Sequence, residues 1–134
     1  MDEQYKLTDS QMLELIHGYI ARYSHQVNMT EDKIFEKADT NFSAYEKFDE
    51  LVKFAPEIAF EVILALLSQT ENEDVLENLA AGPMEDLVRL HGKEFIQRFE
   101  VKASENSKFR ELLSGVWQVG DPEVWSRIER LLKD

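Results

Sequence analysis

The chain has 134 residues, 43% of them hydrophobic and 31% charged, a length and composition that suit one domain with one packed core and a wetted exterior. It carries no cysteine, which excludes disulfides, thiolate metal sites and cysteine nucleophiles together. The formal net charge is −12; a field of that sign repels phosphate and attracts a basic protein surface, so direct nucleic-acid binding is not expected.

The opening residues, MDEQYKLTDS, are acidic and polar where a secretory signal needs a basic segment and an apolar run. The longest unbroken apolar stretch, 62–67, is far short of the roughly 18 residues that read as membrane-spanning. The expected location is the cytoplasm, with no membrane partner.

Thr8 and Gln11 form a capping box, and Leu7 and Met12 are placed as a hydrophobic staple. Met12, Leu13, Ile16, Tyr19, Ile20 and Tyr23 then recur at helical spacing and predict a helix over about 9–24. TEDKIFEKAD suggests a short helix near 31–38, and Ser43 with Glu46 opens another as a second capping box. Pro56 disfavours helical geometry at Ala55 and suits a first helical position, so one helix stops near Phe54 and the next starts at 56. That next helix is apolar around most of its circumference, which marks it as central.

Thr70 and Glu73 make a third capping box, before ENEDVLENLAA. Gly82 and Gly92 are read as left-handed C-terminal residues, and Pro83 as the start of a short helix between them, so that LAAGPMEDLVRLHG, residues 79–92, is the hinge of a helical hairpin. A further helix runs from Lys93 to about Ser104 with Phe95, Ile96, Phe99 and Val101. SKFRELLSGVWQ then places Phe109, Leu112, Leu113, Val116 and Trp117 on one face. Asp121, Pro122 and Glu123 supply an N-cap, a first-turn proline and a dipole-matched acid for the last helix. No segment shows the alternation of a strand. The expectation is an all-α fold, seven to eight short helices in a compact bundle or a short solenoid-like stack of helical hairpins, with 1–134 as a single helical domain.

Charge is unevenly distributed. Residues 1–100 hold 21 acids and 9 bases, and residues 101–134 hold 6 of each. Across 54–88 there is no lysine or arginine, yet the interval carries Glu57, Glu61, Glu71, Glu73, Asp74, Glu77, Glu85 and Asp86. Charged helical runs are ordinarily solvated faces. What that account does not predict is the lack of any basic residue over 35 positions, because soluble surfaces usually mix both signs.

Glu85, Asp86, Arg89 and His91 are close enough in sequence to form an acid-base cluster. Helix-terminus rules explain each more simply: the acids sit in a first turn, Arg89 is within reach of both, and His91 lies in a last turn. Glu14 and His17 have the Glu-x-x-His spacing of di-iron bundles, but neither His25 nor His91 has a glutamate three positions before it, so no metal site is assigned. Nucleotide-binding glycine motifs and hydrolase elbows are absent, and no cofactor or catalytic residue is assigned. Trp117 and Trp125 are read first as core residues, with an interface or pocket as the alternative.

The segment LAAGPMEDLVRLHG, with FIQRFE, KFRELLSGVWQ and residues 125–128, resembles a family of small bacterial helical proteins carried as a domain of unknown function, with a Leu-Ala-Ala-Gly-Pro-x-Glu-Asp-Leu core. The likeness covers about 43–130. It implies a bacterial origin and a compact helical fold, and brings no activity or site. Two functions are weighed. One is a non-enzymatic interaction module, of the inhibitor or toxin-immunity type, whose acidic face of Glu71, Glu73, Asp74, Glu77, Glu85 and Asp86 binds a basic partner. The alternative is a small enzyme or ligand-binding protein with a pocket near His91, Glu85, Arg89 and Trp117.

Overall fold

The computed structural model describes residues 6–24 and 44–133, and every regular element among them is helical. The elements are α1 (Asp9–Tyr23), α2 (44–54), α3 (Pro56–Gln69), α4 (Glu73–Leu79), a π-helical turn (Ala80–Met84), α5 (Glu85–Glu105), α6 (Ser107–Ser114) and α7 (Pro122–Lys133). All but α2, six helices, have both ends within the described residues, against the seven or eight expected. The expected helix near 31–38, Ser43 of the second capping box and His25 lie outside the described residues. Contacts between Cα atoms divide the chain into two units, Met1–Val75 and Leu76–Asp134.

In the first unit, α1 begins as its sequence predicts. Thr8 Oγ1 accepts from the Gln11 backbone N–H at 3.1 Å, while the Gln11 side chain accepts from the Thr8 N–H at 2.9 Å. Two of the donors that every helix start leaves open are thereby satisfied. Leu15, Ile16 and Tyr19 form the buried stripe of α1, which packs on α3. The Tyr19 ring meets Phe48 of α2 edge-on at 5.3 Å, and burial pushes its phenol well above the ordinary range.

The break at Pro56 is also present: Ala55 leaves helical geometry (φ −142°, ψ 62°), and Pro56 occupies the first turn of α3. Leu51 and Val52 of α2 are buried, as are Ala59, Phe60, Val62, Ile63, Leu66 and Leu67 of α3. Each valine, leucine, isoleucine or phenylalanine among them contributes on the order of 2 kcal/mol by leaving water, so the apolar circumference of α3 secures this unit. The start of α4 differs from expectation. Thr70 ends α3, and the cap is Asn72, whose Oδ1 accepts from the Val75 N–H at 3.1 Å.

The largest correction concerns residues 79–92. Neither glycine there is left-handed; among the described residues only Gly120 has a positive φ, 77°. The chain does not fold back at Gly82-Pro83 but runs from α4 through the π turn into α5. Proline lacks the N–H for a helical bond, and its ring crowds the carbonyl four residues earlier. One wider turn relieves both problems, and the Glu85 N–H donates to the Ala80 and Gly82 carbonyls to close it.

Gly92 likewise lies inside α5, buried against α7, where a Cβ would stand 2.9 Å from Val124 Cγ1. Its role is close approach between helices rather than termination. The helices expected to end at Gly92 and begin at Lys93 are therefore one, of 21 residues.

In the second unit α5 packs against the π turn, α6 and α7, and α6 also meets α7. Leu87, Val88, Phe95, Ile96, Phe99 and Ala103 form its buried face. Phe95, Phe99 and Phe109 make a row with ring centroids 6.0 and 6.1 Å apart, within the range in which aromatic pairs attract. Val101 is 55% exposed and does not join that face. Asn106 caps α6 by accepting from the Phe109 N–H at 3.1 Å. Asp121 caps α7 by accepting from Glu123 and Val124 at 2.9 and 3.2 Å.

The two corrected glycines give different expectations for alanine. Gly92→Ala forces a Cβ onto Val124; overpacking costs about 1–3 kcal/mol and outweighs the roughly 1 kcal/mol that alanine gains in a helix interior. Gly82→Ala meets nothing within 4 Å beyond its chain neighbours, but the new Cβ is crowded by the ring of Pro83, which offsets the roughly 0.5–1 kcal/mol that alanine gains, so the net change should be small. Urea unfolding of both variants checks this; a Gly92→Ala variant as stable as the wild type would contradict the close approach at Val124.

Candidate functional site

The acids of the base-free interval are placed by the helices that carry them. Glu57 and Glu61 are exposed on α3. On α4, Val75 and Leu79 are fully buried while Glu73 and Glu77 are exposed, so helical spacing sends apolar and acidic residues to opposite sides. Glu73 and Asp74 lie in its first turn, where the helix dipole favours negative charge. Glu71 is exposed and Asp74 half-buried.

Glu85 and Asp86 have a different setting from the one expected. They do not sit at a free helix start, because the backbone enters α5 already hydrogen-bonded through the π turn. The dipole argument for them therefore fails. Both are half-buried, and Arg89 Nη2 donates to Asp86 Oδ1 at 3.0 Å. His91, expected in a last turn, is mid-helix and half-buried, its ring edge-on to Phe95 at 6.5 Å. Of the four residues proposed as an acid-base cluster, the structure joins Asp86 to Arg89, and the His91 ring meets Phe95 edge-on.

Trp117 is 76% exposed, against Trp125 at 8%. The first reading of both as core holds only for Trp125. The helical spacing linking Trp117 to Phe109 and Leu113 does not reach it, because α6 ends at Ser114. The Gly115 and Val116 N–H groups then donate to Leu112 and Leu113 at 3.0 and 3.1 Å, a tighter turn that changes the register. Val116 turns inward and is 6% exposed.

Four residues after Val116 the loop is held again. Gly120 sits so close to α5 that a Cβ would stand 3.2 Å from Arg89 Cα and 3.3 Å from the Val88 carbonyl oxygen. No sequence signal pointed to this contact, nor to two ion pairs between α5 and the residues that follow it. Lys93 Nζ lies 3.3 Å from Asp121 Oδ2. Arg127 donates to both carboxylate oxygens of Glu100, from Nε at 2.9 Å and from Nη2, a fork that matches the carboxylate plane. Each pair joins residues 27 or 28 positions apart, beyond what local spacing rules can see.

Among the described residues, no group of three or more His, Asp or Glu side chains stands close enough to hold a metal ion. Glu14 and His17 are both exposed on α1. No helix among the described residues is long and apolar enough to cross a membrane.

The profile of a family of unknown function, DUF6869, matches residues 31–134. The chain belongs to that family. The match begins at residue 31, earlier than the likeness over about 43–130, and takes in the π turn, α5 and the Trp117 loop. No curated protein matches the chain, and no solved structure does.

The ion pairs carry a pH dependence of definite sign. The hydrogen bond from Arg127 holds the Glu100 carboxyl below its usual range; the Val124 N–H, and then Lys93 and Glu123, do the same for Asp121. A carboxyl depressed in the folded state contributes stability in full above its unfolded value, about 4, and loses it as pH falls through the folded value. The melting temperature should therefore decline below about pH 4. Glu100→Gln and Asp121→Asn should melt lower at neutral pH and decline less steeply in acid; an unchanged acid slope in both would contradict the assignment.

Proposed function

We propose that this member of DUF6869 is a non-enzymatic interaction module of the inhibitor or toxin-immunity type, acting as one domain in the bacterial cytoplasm. Its acidic residues Glu71, Glu73, Asp74, Glu77, Glu85 and Asp86 bind a basic protein surface. The observation that carries this reading is the run of 35 residues, 54–88, with 8 acids and no base. Support comes also from α4, where Glu73 and Glu77 stand exposed beside buried Val75 and Leu79. Like charges so placed repel one another, a cost to the folded state that a partner of opposite sign removes.

A negative field speeds encounter with a basic protein and fixes its orientation, and it acts over a screening length of about 8 Å at physiological salt. The same field discourages nucleic acid. Affinity capture from cells tests the reading. The wild-type chain should retain basic proteins that are released at about 1 M salt, where the screening length is about 3 Å. A chain with Glu73, Asp74, Glu77 and Glu85 reversed to lysine should lose them. Recovery of the same proteins by the reversed chain would overturn the proposal.

A further inference from the structure

A single exposed apolar residue usually needs no explanation. Trp117 differs in how its loop is fixed on both sides. Val116, just before it, is buried, and Gly120, three residues after it, takes a left-handed conformation against the backbone of α5. Such a contact crowds a Cβ at 120 against backbone atoms of α5, and φ of 77° strains residues other than glycine. The largest side chain type thus stands in water at 76% exposure on a loop whose backbone is anchored at residues 116 and 120. Tryptophan has few side-chain torsions to fix on binding and is enriched among the residues that dominate interface energetics.

The surrounding charge selects the occupant. Segments 85–93 and 117–123, joined at the Gly120–Arg89 contact, carry four acids (Glu85, Asp86, Asp121, Glu123) and two bases (Arg89, Lys93), a net of −2. Both bases are paired within the neighbourhood, Arg89 to Asp86 and Lys93 to Asp121. An exposed indole face attracts cations through its quadrupole, and tryptophan does so best of the aromatic residues.

The geometry points to Trp117 as the residue that grips the basic partner, with an arginine or lysine side chain of that partner stacked on its indole face. This rests on the interaction-module reading and adds a contact outside the acidic interval.

Fluorescein-labelled nona-arginine, titrated at low ionic strength against the full chain and read by anisotropy, is the probe. Trp117→Ala should weaken binding about three- to thirty-fold, the range expected of a cation–π contact, with an unchanged melting temperature because the side chain is exposed. The unlabelled peptide should quench tryptophan emission of the wild-type chain and leave that of Trp117→Phe, which reports Trp125 alone, unaltered. Equal binding by Trp117→Ala, or equal quenching in Trp117→Phe, overturns the inference. If binding is then still lost on reversing Glu73, Asp74, Glu77 and Glu85, the acidic-face reading survives without it. If Trp117→Ala weakens binding while the reversal does not, the grip at Trp117 stands and the acidic-face reading falls.

Discussion

The approach of α5 to α7 at Gly92 is the constraint on which the second unit depends. With Val124 Cγ1 where a Cβ would need to be, α5 must present a bare backbone at that point. It must also continue straight past it, so that Phe95, Ile96, Phe99 and Ala103 reach the same buried side. A helix that stopped at Gly92 would uncouple buried Leu87 and Val88 from the row of Phe95, Phe99 and Phe109, whose successive rings lie near 6 Å apart. The π turn serves the same end. It takes up Pro83, which cannot sit in an ordinary helical interior without losing a bond, and delivers a backbone already in helical register to Glu85.

The exposed features follow from that scaffold. Because α5 is continuous, the backbone at Val88 and Arg89 offers a fixed surface for Gly120. Because Gly120 is fixed, Asp121 is in position to cap α7 and to meet Lys93. Trp117 is left on the short span between Val116 and Gly120, outside the core. The acids at 73 and 77 owe their exposure to the complementary burial of Val75 and Leu79.

What the sequence made legible was local chemistry. The capping box at Thr8, the break before Pro56, the apolar circumference of α3 and the Asp-Pro-Glu start of α7 each depend on neighbours within four positions, and each is found in the structure. The base-free interval needed only counting. What stayed hidden depends on residues far apart. Glycine serves both left-handed turns and close helix contacts, and the difference at Gly92 is made by Val124, 32 positions on. Gly82 was misread for a related reason: Pro83 beside it suggests a helix start, and a π turn has no local signature that distinguishes it. Asn72 displaced Thr70 as a cap by a shift of two residues, and Trp117 fell outside the core because α6 ends three residues before it. The candidate site was legible as charge and not as geometry.

Native-state hydrogen exchange across residues 84–105 tests the continuity of α5 most directly, since amides open with the structural unit that holds them. The account predicts that Gly92, Lys93 and Glu94 exchange as slowly as Phe95 and Ile96, through one opening shared along the helix. Rapid exchange confined to 92–94, between two protected segments, would show a hinge there and contradict it.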